Sequence, residues 1–284
     1  METIFTDLVR VRAHECDMFG HVNNAVYIQY LQQVTLDAFG ATIDGDALWN
    51  VRRLSIEYQT SAHYGDALKV ATWVMAADEA HVVRGYHITR GAFGESVVRA
   101  QIEWDYRDRA TWTARTVPEV HRALPTAGAP RAAPLKPFAT PSDNGSRPFR
   151  WRHAVRFYEL DATSRVAVAT YFNWLQAVVF RAARLVGWPL EVMRAHNFIT
   201  LQYRHDAEFF DAASNDDEIE IVSRLIEIRR VRGTWLHEVY RVATNTLILR
   251  DYSTGAFLDW EGDVRAGPAE MLEALTHGEP IEAT

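Results

Sequence analysis

Residues 11–34 read VRAHECDMFGHVNNAVYIQYLQQV, and residues 155–178 read VRFYELDATSRVAVATYFNWLQAV. Laid over one another without a gap, 144 positions apart, ten of the 24 positions are identical. They include Arg12/Arg156, Glu15/Glu159, Asp17/Asp161, Val22/Val166, Ala25/Ala169, Tyr27/Tyr171, Leu31/Leu175 and Gln32/Gln176. Farther along, Val83-Arg84-Gly85 echoes Val231-Arg232-Gly233, and Tyr58 with Asp66 echoes Tyr203 with Asp211. Self-similarity at a fixed separation marks a repeated structural unit. The chain is a tandem duplication.

Each half predicts the same order of elements. In the first, a short strand spans Asp7–His14, with Leu8, Val9 and Val11 set among charged residues. A loop from Glu15 to Val22 follows, and then a helix over Asn24–Phe39. Val26/Tyr27, Tyr30/Leu31, Val34 and Ala38 recur at spacings of three and four, which gathers them on one stripe. Asn23 or Asn24 supplies the N-cap and Gly40 the C-terminal stop. Four strands complete the half, at Leu48–Thr60, Ala67–Ala77, His81–Arg90 and Glu95–Arg107, all rich in β-branched and aromatic residues. The second half repeats the pattern with Tyr171–Val186 as its helix. One long helix followed by a run of strands points to an α+β fold with an antiparallel sheet, not to alternating βαβ units.

Between the halves stand Pro125, Pro130, Pro134, Pro137, Pro141 and Pro148. Proline lacks the amide donor and fixes its own φ, so this stretch reads as a semi-extended connector. The expected division is 1–124, a linker at 125–148, and 149–284. Over 284 residues the hydrophobic share is 48% and the charged share 24%, which suits a folded chain of two domains. A net charge of −7 without a run of Lys or Arg argues against a general nucleic-acid binder. The single cysteine, Cys16, excludes an internal disulfide and a cysteine-rich zinc site. The N-terminus has no signal-peptide pattern, and no apolar run approaches the ~20 residues that span a bilayer. The expectation is a cytoplasmic protein with no membrane partner.

The chemistry-bearing segment is Asp17-Met18-Phe19-Gly20-His21-Val22-Asn23-Asn24, which leads into the helix through Tyr27. Backbone amides at a helix start are unpaired and carry the positive end of its dipole, so they suit an oxygen that becomes negative during reaction. A carboxylate nearby serves as base towards water or as nucleophile. Gly20 permits close approach of a substrate to the backbone.

This segment resembles the signature of hotdog-fold thioesterases of the 4-hydroxybenzoyl-CoA thioesterase and acyl-ACP thioesterase kind, Asp-x-x-Gly-His-x-Asn-x-x-x-Tyr. Asp17, Gly20, His21, Asn23, Asn24 and Tyr27 stand at matching places. Tyr58, Ala62, Tyr64, Gly65, Asp66 and Leu68 resemble the family's second-strand turn, with Thr60-Ser61 where a proline usually falls. The resemblance covers most of residues 5–124 and implies the following expectations. Two tandem hotdog domains, each a long helix wrapped by an antiparallel sheet, form an intramolecular pseudo-dimer. Asp17 is nucleophile or general base on an acyl thioester of coenzyme A or acyl carrier protein. His21 orients it or binds the thioester carbonyl. Gly20, Val22, Asn23, Asn24 and Tyr27 line the substrate, with amides near Val22–Asn24 as the oxyanion site. No cofactor is required, and double-hotdog units can associate further as a homo-oligomer.

Each residue also has a plainer reading. Asp17 can cap a turn, His21 alone reads as a loop histidine, and Asn23 and Asn24 are helix caps first. Cys16 reads as structural filler. His81, His87, His205 and His237 show no ligand-like pairing, so no metal is expected. Arg107, Arg109 and Arg115 either attract coenzyme A phosphates or form a solvated turn. The second copy keeps Asp161 but has Ser164, Arg165, Ala167 and Val168 in place of the glycine, histidine and asparagines, and reads as a pseudo-domain whose Arg165 pairs with Asp161. Two rival functions stay open: a non-catalytic acyl-thioester-binding protein, and a hydratase or dehydratase of the same fold, whose His and Pro-Gly-His motif is absent here.

Overall fold

The structure is a computed structural model that describes residues 4–40, 45–122, 129–135 and 146–283. Of the expected linker, only 129–135 and 146–148 fall within the described residues. The chain divides into two compact units, Met1–Lys136 and Pro137–Thr284.

The first unit runs β1 (Ile4–Arg10), α1 (Asn24–Phe39), β2 (Ala47–Tyr58), β3 (Ala67–Ala77), β4 (His81–Arg90), β5 (Glu95–Asp108) and the short β6 (Ala114–Arg115). Its sheet is antiparallel in the order β1-β3-β4-β5-β2. Helix α1 starts where Asn23 accepts from the Ala25 amide and stops where Gly40 takes a left-handed φ of 60°. It lies against β1 and β3. Tyr27, Ile28, Leu31, Val34 and Phe39 form its buried stripe, while Val26 and Ala38 only flank it. Beneath the helix, Thr35 Oγ1 and Trp104 Nε1 both meet the buried Tyr86 hydroxyl, at 2.6 and 2.8 Å. The expected first strand ends early, at Arg10 instead of His14, because the chain turns into a 3-10 segment over Ala13–Glu15. The Glu15 carboxylate causes that turn by accepting from the Arg12 amide at 2.6 Å, a bond that closes a capping box.

The second unit runs β7 (Phe149–Ala154), α2 (Val168–Leu185), α3 (Leu190–Ala195), β8 (Ile199–Phe209), β9 (Glu218–Arg229), β10 (Arg232–Arg241), β11 (Thr246–Leu258), α4 (Ala269–Thr276) and β12 (Ile281–Ala283). The strand order is β8-β11-β10-β9-β7-β12. All pairs are antiparallel except β12, which runs parallel to β7. Helix α2 lies against β7 and β9, as α1 does against β1 and β3. It begins three residues before the expected Tyr171, because its N-cap, Ala167, offers no side-chain acceptor to read in the sequence. Buried polar side chains cross this sheet: Ser223 Oγ meets His237 Nδ1 at 2.7 Å, and His205 Nδ1 meets Asp251 Oδ2 at 2.8 Å.

The register between the halves changes after the helix. Tyr27 and Tyr171 lie 144 apart, yet each accepts a hydrogen bond from an alanine amide, Ala62 and Ala213, which lie 151 apart. The extra residues fall at the end of α2, two residues longer than α1, and in the α2–β8 connection, where α3 is inserted. The structural counterpart of Asp66 is therefore Asp217 and not Asp211: Asp66 accepts from the amide of His63 and Asp217 from that of Ser214, both at 2.9 Å. The Val-Arg-Gly echo is likewise not structural. Residues 83–85 lie within β4, whereas 231–233 straddle the turn into β10, which starts at Arg232. Among the described residues no helix is long and apolar enough to cross a membrane.

Candidate active site

The loop into α1 is a closed turn. Cys16 and Val22 form an antiparallel bridge, the Asp17 amide donates to the His21 carbonyl at 2.9 Å, and the Gly20 amide donates back to the Asp17 carbonyl at 3.0 Å. Asp17 Oδ1 accepts from the Phe19 amide at 2.9 Å, an Asx-turn that fixes the carboxylate. Gly20 sits at φ 81°, in the left-handed region that glycine enters without strain. The other carboxylate oxygen, Oδ2, faces His21 Nδ1 at 3.5 Å. The imidazole is stacked on Phe19, with centroids 5.8 Å apart and planes 21° apart. Its Nδ1 also lies 3.4 Å from the Val22 carbonyl. Its Nε2 is buried and has no hydrogen-bond partner among the described residues.

Two amides expected to bind an oxyanion are already engaged. Val22 N donates to the Ala62 carbonyl at 2.8 Å and Asn23 N to the Glu15 carbonyl at 2.9 Å. Among the described residues the Asn24 amide, first of α1, has no protein acceptor, and it is the donor this helix start leaves over. The Asn23 side chain is spent on the cap. The Tyr27 side chain is engaged as well. It is buried, and its hydroxyl accepts from the Ala62 amide at 3.0 Å, while burial pushes its pKa up to about 12. Glu15, which sequence reading passed over, holds the site from behind by accepting from Tyr30 Oη at 2.8 Å. The Tyr58 hydroxyl likewise donates to the Asn24 carbonyl at 3.1 Å.

The second unit builds the same turn. Leu160 bridges Val166, Asp161 N donates to the Arg165 carbonyl at 2.8 Å, and the Thr163 amide donates to Asp161 Oδ1 at 2.8 Å. The glycine's place is taken by Ser164 at φ 61°. The residues identical in both copies are thus the ones that make the turn: the glutamate of the capping box, the aspartate of the Asx-turn, the buried valine, and the tyrosine on the alanine amide. Among the motif residues, Gly20, His21, Asn23 and Asn24 are not kept in the second copy. Of these, His21 presents a side-chain nitrogen that the turn and the cap leave unused, while among the described residues the amide left over at the helix start is common to both units, at Asn24 and Val168.

Other expected contributors are not brought to this site. Arg107 pairs with Asp105 at 2.7 Å and Arg115 with Asp46 at 3.1 Å, while Arg109 donates to the Gly45 carbonyl at 2.8 Å, all within the first unit. Cys16 is half-buried, with Sγ 3.9 Å from the Arg12 carbonyl. Among the described residues no group of three or more His, Cys, Asp or Glu side chains is arranged to hold a metal ion.

Residues 2–106 match the family model described as the acyl-ACP thioesterase C-terminal domain. Over those residues the first unit is similar to that family. The model of a C-terminal domain falls here on the N-terminal unit, the one that carries the histidine and asparagines. The chain is also 21% identical over 228 residues to the palmitoyl-acyl carrier protein thioesterase of Gossypium hirsutum chloroplasts, a match that covers 72% of this chain. It spans 52% of that relative's length. Among solved structures, the 12:0-ACP thioesterase from Umbellularia californica superposes with a TM-score of 0.68 at 16% identity, covering 89% of this chain and 94% of the other. An acyl-ACP thioesterase from Bacteroides thetaiotaomicron gives 0.62 at 13% identity, with 89% and 98% covered. At such identities the likeness is one of fold, a hotdog-like α+β fold.

Proposed function

We propose that the chain hydrolyses an acyl thioester, carried on coenzyme A or acyl carrier protein, to a free acid and a thiol, with His21 and Asp17 as the working pair. The observation that carries this reading is the unpartnered Nε2 of His21 beside the start of α1. Both atoms that face Nδ1, Asp17 Oδ2 and the Val22 carbonyl, are acceptors, so the neutral ring carries its proton on Nδ1. Nε2 then presents a lone pair. It takes a proton from water as the water oxygen bonds to the thioester carbonyl carbon. The Asn24 amide receives the oxyanion. Collapse breaks the C–S bond, and the proton on Nε2 passes to the departing sulfur. Asp17 orients the ring and stabilises the imidazolium.

A second route has Asp17 attack the carbonyl itself, and what favours it is that Oδ2 carries no backbone amide. Single-turnover hydrolysis in ¹⁸O-water separates the two. Direct water attack labels the first acid released, whereas the nucleophilic route labels the enzyme first. In the same reading the two units are hotdog domains in tandem, at 1–124 and 149–284 around a linker at 125–148, paired within one chain. Halves expressed as separate chains should co-purify, and failure to do so overturns the pairing.

The direct test of activity is thiol release by the purified chain from acyl-CoA and acyl-ACP panels that include benzoyl and phenylacetyl esters. Turnover without added metal or nucleotide, undiminished by chelator, is expected. Binding without thiol release would instead support an acyl-thioester-binding protein.

A further inference from the structure

The two units differ at one sheet edge. In the second, the outer side of β7 is covered: β12 runs parallel to it, pairing Ile281 with Phe149 and Ala283 with Trp151, and Ile281 N donates to the Pro148 carbonyl at 3.0 Å. In the first, β1 is the counterpart of β7, and among the described residues it pairs with β3 only. Exposed strand edges are usually blunted by proline, bulges, shortness or a covering segment. β1 has seven residues in unbroken register with β3 and no proline; its one local cover is the Asp7 carboxylate, which accepts from the outward Leu8 amide at 2.7 Å and must release it when a strand pairs there. Its central outward residue, Leu8, is 79% exposed. Beside the strand lies an open groove of about 820 Å³, lined by Asp7, Val9, Gln29, Gln33 and the 70% exposed Tyr64.

We propose that a second copy of this chain covers this edge, with β1 pairing antiparallel to its own copy about a two-fold axis at Leu8. The twin edge shows that a strand is what this position takes. Self-pairing of β1 closes the assembly in a single isologous contact, whereas pairing β1 with β12 of another copy would be head-to-tail and would propagate. A two-fold axis normal to the sheet keeps each residue on its own face, so only registers in which a residue meets itself are allowed. Centring on Asp7 would place two carboxylates opposite one another, which is destabilising. Centring on Leu8 sets Leu8 on Leu8, Thr6 on Arg10, and Asp7 on Val9. It buries the exposed leucine and carries Val9 of the copy towards the groove. Acyl-thioester hydrolysis is not needed for this contact.

The test uses the full chain. Light scattering should give twice the 32.4 kDa chain mass at micromolar concentrations, and Leu8→Lys should return it to one chain with its circular dichroism unchanged. The register is read by Leu8→Cys in a Cys16→Ser background. Directly opposed Cβ atoms ~4.5–5.5 Å apart lie within reach of a disulfide. Mild oxidation should therefore give a covalent dimer that reductant reverses, while Asp7→Cys in the same background should not. A monomeric wild-type chain, a Leu8→Lys variant that stays dimeric, or equal cross-linking at positions 7 and 8 would each overturn the proposal. Equal cross-linking would point to a strand with no fixed register.

Discussion

Replacing Tyr27 with Phe removes a single oxygen, and the structure says what that oxygen holds. The Tyr27 hydroxyl accepts from the amide of fully buried Ala62, whose own carbonyl receives Val22 N at 2.8 Å, one residue from His21. Without the hydroxyl, a buried N–H is left unpaired, at a cost of about 1–3 kcal/mol. With an m value of about 3 kcal/mol/M, the urea midpoint of the first unit should drop by roughly 0.3–1 M. Thiol release should drop as well, because the Ala62–Val22 link that seats His21 loosens. Tyr171 makes the same bond to Ala213, at 2.8 Å. Tyr171→Phe should cost its own unit a similar stability and leave turnover near wild type. Equilibrium unfolding followed by tryptophan fluorescence, alongside initial rates, measures both. If Tyr27→Phe leaves the midpoint in place, or if Tyr171→Phe depresses turnover as far as Tyr27→Phe, the division between turn-building and working residues is wrong.

Other outcomes follow from the same geometry. Ser164 holds a left-handed φ of 61° that costs a non-glycine residue about 1–2 kcal/mol, so Ser164→Gly should be neutral or mildly stabilising, and Gly20→Ala at φ 81° destabilising, by differential scanning calorimetry. Burial lowers the His237 pKa to about 3 with help from the nearby His205 charge, so the unfolded chain binds that proton and the folded one does not. The stability this provides is present above pH 6.5 and is lost progressively as the pH falls towards 3. Between pH 6.5 and 5 the loss is roughly 2 kcal/mol. His237→Gln should show a correspondingly shallower fall in urea midpoint over that range, since Ser223, Asp251 and His205 around it are unchanged. An equal fall in both proteins would remove His237 as the cause.

Much of the fold was legible in the sequence. α1, β3 and β4 begin and end where periodicity, an asparagine cap and turn residues place them, because those signals are local. The elements that escaped lack such signals or depend on distant partners. α3 and α4 open after Pro189 and Pro268 without a side-chain cap, and β12 exists only as the partner of β7. The end of β1 escaped because a side chain five residues on, Glu15, turns the backbone. The site was half legible. The sequence brings these residues together in one loop, but it does not show that Asn23, Val22 and Tyr27 are bound to partners in the cap, in the loop at Ala62 and in the core. Comparison with the second copy supplies a further signal: what both halves share builds the turn, and the His21 imidazole, which the proposed mechanism uses, stands only in the first.

That distinction reduces to one comparison, the initial rate of thiol release for wild type, His21→Ala and Arg165→Ala on one acyl-CoA substrate. His21 and Arg165 occupy the same position of the same turn in the two units. Loss of a general base lowers rates by about 10²–10⁴-fold. The prediction is a fall of that size for His21→Ala, with Arg165→Ala within a few-fold of wild type. A His21→Ala enzyme that keeps its rate, or an Arg165→Ala enzyme that loses it, would contradict the account.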